Sequence, residues 1–247
     1  IMQHAEDNEL SQNGMMNDGV IATKLGLQGI PEVAEKIIIE RDLSLLEDFN
    51  CRYHISQISS SKSLEVIEKK KDQIDFTTGV SINNLSLNEN DIGDFRTFLK
   101  LSPPLRTEED RQSLIRGINK DLIEVLVSDH KPEDEESKRL TFSQAATGAS
   151  GIETLLPLSL ELFHNNSIKL PKIIKLLTSN PAKVLKVDKG NLSIGNDADF
   201  CIVDINKPWI VKKEKMISKS KNTCIEDKKL QGKVTNTFVK GVELFKL

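Results

Sequence analysis

Leu122-Ile123-Glu124-Val125-Leu126-Val127, followed at once by Ser128-Asp129-His130, is the stretch from which the fold reads. The run is almost wholly apolar, which suits a strand buried on both faces in a parallel sheet. It stops at a carboxylate and an imidazole. Functional side chains of parallel α/β barrels sit at the carboxyl ends of strands. Upstream, Thr107-Glu108-Glu109-Asp110-Arg111 opens a helix, with Thr107 as N-cap and Asp110 completing a capping box. Further upstream, Gln73 to Thr78 reads as a strand and Ser63 to Lys71 as a helix capped by Ser63. Arg52 to Ile58 alternates like a strand. Pro31 opens a helix that runs to Leu46, with early glutamates behind it. Residues 1–4 form a short strand ending in His4. Downstream, Gly151 to Phe163 and Pro171 to Leu177 are helical, and Ser179 to Leu185 is a cap with a short helix. Strands alternating with helices mean βαβ units and a parallel sheet.

Past about residue 190 the texture changes. Gly190, Gly195, Gly232 and Gly241 punctuate β-rich runs at Ala198–Asp204 and Val234–Val239. They predict a small antiparallel unit. The resulting division is 1–187 for the strand–helix part and 188–247 for the β part. Between the two β runs, Lys212 to Asn222 is polar and rich in lysine, and reads as a solvated loop.

Composition narrows the class. Hydrophobic residues make up 38% and charged residues 29%, which excludes a disordered tail. Thirty-four basic against 37 acidic side chains leave a net charge of −3, with no basic excess to suggest nucleic acid. No apolar stretch reaches a membrane span, and no basic segment precedes an apolar one at the start. Three scattered cysteines suit a reducing, cytoplasmic compartment and no disulfide framework. Ile1-Met2-Gln3-His4 reads as the end of a strand with no start methionine, so an amino-terminal part is expected to be missing from the sequence.

Three chemical positions fall at strand ends: His4, His54 with Gln57, and Asp129 with His130. Imidazoles and a carboxylate converging there are what a catalytic zinc centre requires, with one position left for water. A lone strand histidine is more often structural, and His130 reads that way. Asp129 is harder to dismiss, because a desolvated carboxylate is costly unless paired or metal-bound.

Several runs together resemble the carboxyl-terminal part of dihydroorotases, zinc amidohydrolases with a (β/α)8 barrel and a small β-sandwich. His4-Ala5-Glu6-Asp7 resembles the family's His-Cys-Glu-Asp. Pro103-Pro104-Leu105-Arg106-Thr107-Glu108-Glu109-Asp110-Arg111 is the most specific match. Ser128-Asp129-His130, Asn180-Pro181-Ala182 and Ser218-Lys219-Ser220-Lys221-Asn222-Thr223 add to it. The resemblance covers essentially the whole chain. It implies the carboxyl-terminal half of the barrel plus part of the β-sandwich, and a reaction interconverting N-carbamoyl-aspartate and dihydroorotate in pyrimidine synthesis. It further implies His4 as a zinc ligand and Asp129 as metal ligand and proton shuttle.

The departures from the family pattern lie at the site. The family's Tyr-His-Val-Cys-His-Val-Ser is Tyr53-His54-Ile55-Ser56-Gln57-Ile58-Ser59 here, so Gln57 replaces a metal-binding histidine. Ser81-Ile82-Asn83-Asn84-Leu85 stands for Thr-Pro-His-His-Leu. Ser102 replaces a substrate-contacting asparagine, Glu133 a substrate-contacting histidine, and Thr147-Gly148 a Phe-Gly in the loop over the substrate. An amide is a poorer zinc ligand than imidazole, and Glu133 would repel an anionic substrate. The resemblance therefore supports two readings. One is a catalytically impaired homologue that acts as a non-catalytic partner of aspartate transcarbamoylase in an oligomer, a role known for inactive family members. The other is an active zinc dihydroorotase. A related cyclic amidase, such as an allantoinase or dihydropyrimidinase, is a weaker third. About four strand–helix units are visible where a closed barrel needs eight, which predicts that the chain folds poorly alone.

Overall fold

The computed structural model describes residues 1–49 and 51–247. Four parallel strands form its main sheet: β1 (Met2–Gln3), β4 (His54–Ile58), β5 (Thr77–Ser81) and β6 (Val125–Val127), side by side in that order. Gly79, Val80 and Ser81 pair with Val125, Leu126 and Val127. This register brings the carboxyl ends of β5 and β6 level. Two shorter parallel strands, β2 (Met16–Asn17) and β3 (Gly29–Ile30), form a separate pair flanking α1 (Val20–Leu25).

The helices lie between the strands in sequence, as the alternation predicts. α2 (Glu32–Asp48) buries Ala34, Ile38, Ile39 and Leu43. It packs on α3 (Ser61–Lys70), and α3 packs in turn on α5 (Glu108–Asn119). α4 (Ile82–Ser86) follows β5 directly. The chain continues through α6 (Glu135–Arg139), α7 (Leu155–His164), α8 (Leu170–Leu177) and α9 (Ser179–Leu185). Among the described residues no helix is long and apolar enough to cross a membrane. Apolar side chains of both strands and helices, among them Ile55, Ile67, Val80, Leu114 and Leu158, close into one core cluster.

Some boundaries move. The cap of α3 is Ser60 and not Ser63: Ser60 has the extended backbone of a cap, and its hydroxyl accepts from Ser63 N. The expected strand at Gln73–Thr78 starts at Thr77, because the Gln73 and Ile74 amides still donate to Lys70 O at the end of α3. Residues 151–154 form a turn ahead of α7, whose first turn closes on the Thr154 and Gly151 carbonyls.

Residues 200–246 hold the antiparallel sheet, with β7 (Phe200–Ile210), β8 (Lys229–Val239) and β9 (Val242–Lys246) in sequence order. α7 packs against β8, and Val211, Cys224, Ile225 and Leu230 belong to the same core cluster as the parallel sheet. The expected solvated loop is solvated only in part. Lys212–Lys215 are exposed, but Met216, Asn222 and Thr223 are buried.

Candidate functional site at the carboxyl ends of the parallel strands

The structure places His4 just past β1, Gln57 in β4 and Asp129 just past β6. Ser102 enters from the loop before α5. Asp129 adopts a left-handed backbone, with φ 48°. That conformation is uncommon for a residue other than glycine, and Asp is among the residues that tolerate it.

Two separate hydrogen-bonded groups result. In the first, His4 Nε2 lies 3.0 Å from Ser102 Oγ and 3.4 Å from Glu6 Oε2, and the Ser102 hydroxyl donates to Glu6 Oε2 at 3.3 Å. The hydrogen bond to Glu6 raises the His4 imidazole above its ordinary pKa, against the opposing effect of burial, and the same contact lowers Glu6. In the second, the Gln57 amide nitrogen donates to Asp129 Oδ1 at 3.1 Å. Burial raises the Asp129 carboxyl above its ordinary value. The Gln57 bond, the charges of His4 and Lys131, and a hydrogen bond from Ser81 pull the other way.

His54 does not take the place of the missing imidazole. Its Nδ1 is bonded to Thr77 Oγ1 at 2.8 Å, and burial lowers its pKa. His130 is structural: its Nδ1 accepts from the Gly151 and Ile152 amides at 3.2 and 3.4 Å. Glu133 and Thr147-Gly148 stand in neighbouring loops, and both loops are bonded to Asn222. The arginine of the Pro-Pro-Leu-Arg run, Arg106, is buried. It donates to Ser59 Oγ at 3.1 Å, to Asn17 Oδ1 at 2.9 Å and to Ile30 O. It therefore ties the ends of β4, β2 and β3 to the loop before α5.

The donor set does not suit zinc by itself. Among the described residues no three of His, Cys, Asp and Glu converge. Gln57 presents its N–H to Asp129, so a donor stands where a cation would need an acceptor, and Gln57 Oε1 is buried without a partner. A cleft of about 570 Å³ lined by Tyr53, His54, Thr77, Glu124 and Asn180 opens at the opposite, amino-terminal ends of the strands. Of the strand-end candidates it holds only His54, which is the first residue of β4 and so stands at the opposite end of the strand from Gln57.

Sequence reasoning passed over Glu6, Ser81 and Asn222. Glu6 was visible two residues after His4. Ser81 lay past the expected strand, which read as ending at Thr78, and is the last residue of the observed one. Asn222 was visible only within the Ser218–Thr223 match, because apart from Ser220 its side-chain partners lie more than 70 residues away.

The fold and the sequence converge on one group. The model of the amidohydrolase family matches residues 2–244. A protein named dihydroorotase from Ehrlichia canis (strain Jake) is 42% identical over 98% of this chain and 54% of its own length. One from Anaplasma phagocytophilum (strain HZ) is 38% identical over 100% of this chain and 56% of its own. The chain thus spans about half the length of the curated relatives it matches. An L-hydantoinase (dihydropyrimidinase) from Arthrobacter aurescens superposes with a TM-score of 0.86 at 26% identity, over 100% of this chain and 57% of that one. A dihydropyrimidinase from Brevibacillus agri gives a TM-score of 0.87 at 18% identity, over 99% of this chain and 56% of its own, and so shares the fold. The four parallel strands with their helices are part of a barrel of that type, and this chain belongs to the amidohydrolase family, with its sequence similarity to dihydroorotases running over nearly its whole length.

Proposed function

We propose that this is a dihydroorotase-type amidohydrolase with impaired hydrolytic chemistry, acting as a non-catalytic partner of aspartate transcarbamoylase. The Gln57–Asp129 hydrogen bond carries the reading. Opening a cyclic amide such as dihydroorotate to N-carbamoyl-aspartate needs a carboxylate that takes a proton from water and returns it to the leaving nitrogen. Here one of the two carboxylate oxygens, Oδ1, already accepts an amide N–H from Gln57 where the family has a metal-binding imidazole. His4 is engaged by Glu6 and Ser102. Zinc chemistry on this face would need ligands beyond the ones gathered here, and no step is assigned to it. The unpaired cysteines suit a reducing cytoplasm.

One observation favours the alternative, an active zinc dihydroorotase: Asp129 keeps its place at the strand end and has no ion-pair partner among the described residues. The test uses the full-length gene product, supplied with zinc and with aspartate transcarbamoylase from the same cells, and follows conversion of dihydroorotate. Hydantoin and dihydrouracil are run beside it for the related cyclic amidases. The expected result is no turnover above background and a stable complex on a sizing column. Dihydroorotate turnover that disappears in Asp129→Ala would overturn the impaired reading. Failure to co-elute would overturn the partnership.

A further inference from the structure

The segment expected to be a solvated loop ends in a buried polar residue with several hydrogen-bond partners. Asn222 is 3% exposed. Its Nδ2 donates to Gly148 O at 3.1 Å, and its Oδ1 faces Glu133 N at 3.4 Å and Ser150 Oγ at 3.3 Å. Its own carbonyl accepts from Ser150 N at 3.0 Å. Two residues earlier, the Ser220 hydroxyl donates to Glu133 O at 2.5 Å. Midway along the segment, Glu153 accepts from Ile217 N and Ser218 N at 3.1 and 2.9 Å.

The loop that receives these bonds is held from its other side as well. Lys138 Nζ donates to Ala146 O and Gly148 O at 2.7 and 2.9 Å, and Lys100 Nζ donates to Ser143 O and Ala145 O, both at 2.9 Å. Gly148 N donates to Lys100 O at 2.9 Å. Both lysines are buried, at 1% and 8% exposure, and neither has a carboxylate within ion-pair distance among the described residues. A buried ammonium is costly unless its hydrogens are all taken up, so the loop carbonyls are required partners. Gly148 itself has φ 139°, and a Cβ there would meet Lys131 O at 2.6 Å. The loop is therefore pressed against the backbone leaving β6.

We propose that Ser220–Asn222 is a latch, by which the antiparallel β unit fixes both loops of this face, the one bearing Glu133 and the one bearing Thr147-Gly148. The inference rests on the proposed function only in taking those loops as ligand-facing. The latch makes the Thr147-Gly148 loop a fixed wall of the site and not a lid. It also makes the wall's position depend on residues about 70 to 90 positions further along the chain.

Hydrogen exchange read by mass spectrometry on the full-length protein tests this. Asn222→Ala is expected to speed exchange about tenfold at 131–134 and at 143–150, the scale of a lost hydrogen bond. Exchange in α2 and α3 stays as it was. Asn222→Asp keeps the acceptor for Glu133 N and loses the donor to Gly148 O. It is expected to speed 143–150 alone, and it carries the test if the alanine variant does not fold. Unchanged exchange at both loops, or a uniform rise along the chain, would overturn the latch. Neither outcome depends on dihydroorotate turnover, so failure of the latch and failure of the proposed function are read separately.

Discussion

Lys138 takes an ammonium group into the interior with carbonyl oxygens as its hydrogen-bond partners. Burial pushes its pKa down from the ordinary 10.5 to about 8. Below about pH 8 the folded and unfolded chains both hold the proton. Between about 8 and 10.5 the unfolded chain holds it and the folded chain releases it, so folding stability rises with pH across that window. Lys138→Met has no such proton to lose. The expected outcome is that the wild type gains stability relative to Lys138→Met between pH 7.5 and 10.5, read from urea denaturation midpoints. Parallel pH curves for the two proteins would show that the ammonium is not held as described. Nothing in the sequence marked this residue. Lys138 stands in the run Glu135-Glu136-Ser137-Lys138-Arg139, and charge runs are usually solvated. By contrast Asp129 was legible, because a carboxylate directly after a buried strand has few ordinary explanations.

At the scale of elements, local chemistry decided what was legible. The start of α5 is fixed by four consecutive residues: Thr107 Oγ1 accepts from Asp110 N, and Asp110 accepts in return from Thr107 N. That capping box reads directly from sequence. Thr107→Ala removes one cap acceptor and is expected to cost about 1 kcal/mol of stability, while Thr107→Ser is expected to retain most of it. Equilibrium urea unfolding of the two variants checks this, and equal losses in both would count against the cap. The neighbouring α3 was read less well, because Ser59-Ser60-Ser61-Lys62-Ser63 offers several candidate caps. Ser60 takes the cap while Ser59 donates to the buried Glu35. Strands β2 and β3 are two residues each and pair across α1. Strands that short have no periodicity to detect.

On the whole-molecule scale the parallel sheet was legible from alternation alone, as was the change to antiparallel structure after about residue 190. The coupling between them was not, since it runs through Leu230 in the core and Asn222 at the site. Four strands stand at the edges of the two larger sheets, β1 and β6 in one and β7 and β9 in the other. β1 ends the four-stranded sheet with Ile1 and Met2 exposed, and β9 ends the three-stranded sheet with every residue exposed. Val242 and Leu244 lie two apart in β9 and so on one face of it, at 59% and 66% exposure. An edge strand with exposed apolar residues is a template for pairing with another chain. The 247-residue chain is therefore expected to self-associate as its concentration rises, read by sedimentation velocity. Val242→Lys with Leu244→Lys places charge on that edge and is expected to shift the distribution toward monomer. A wild-type chain that stays a single monomeric species at all concentrations would remove the basis for this expectation. A double variant that associates as strongly as the wild type would move the contact away from β9, to another edge strand such as β1 or β7.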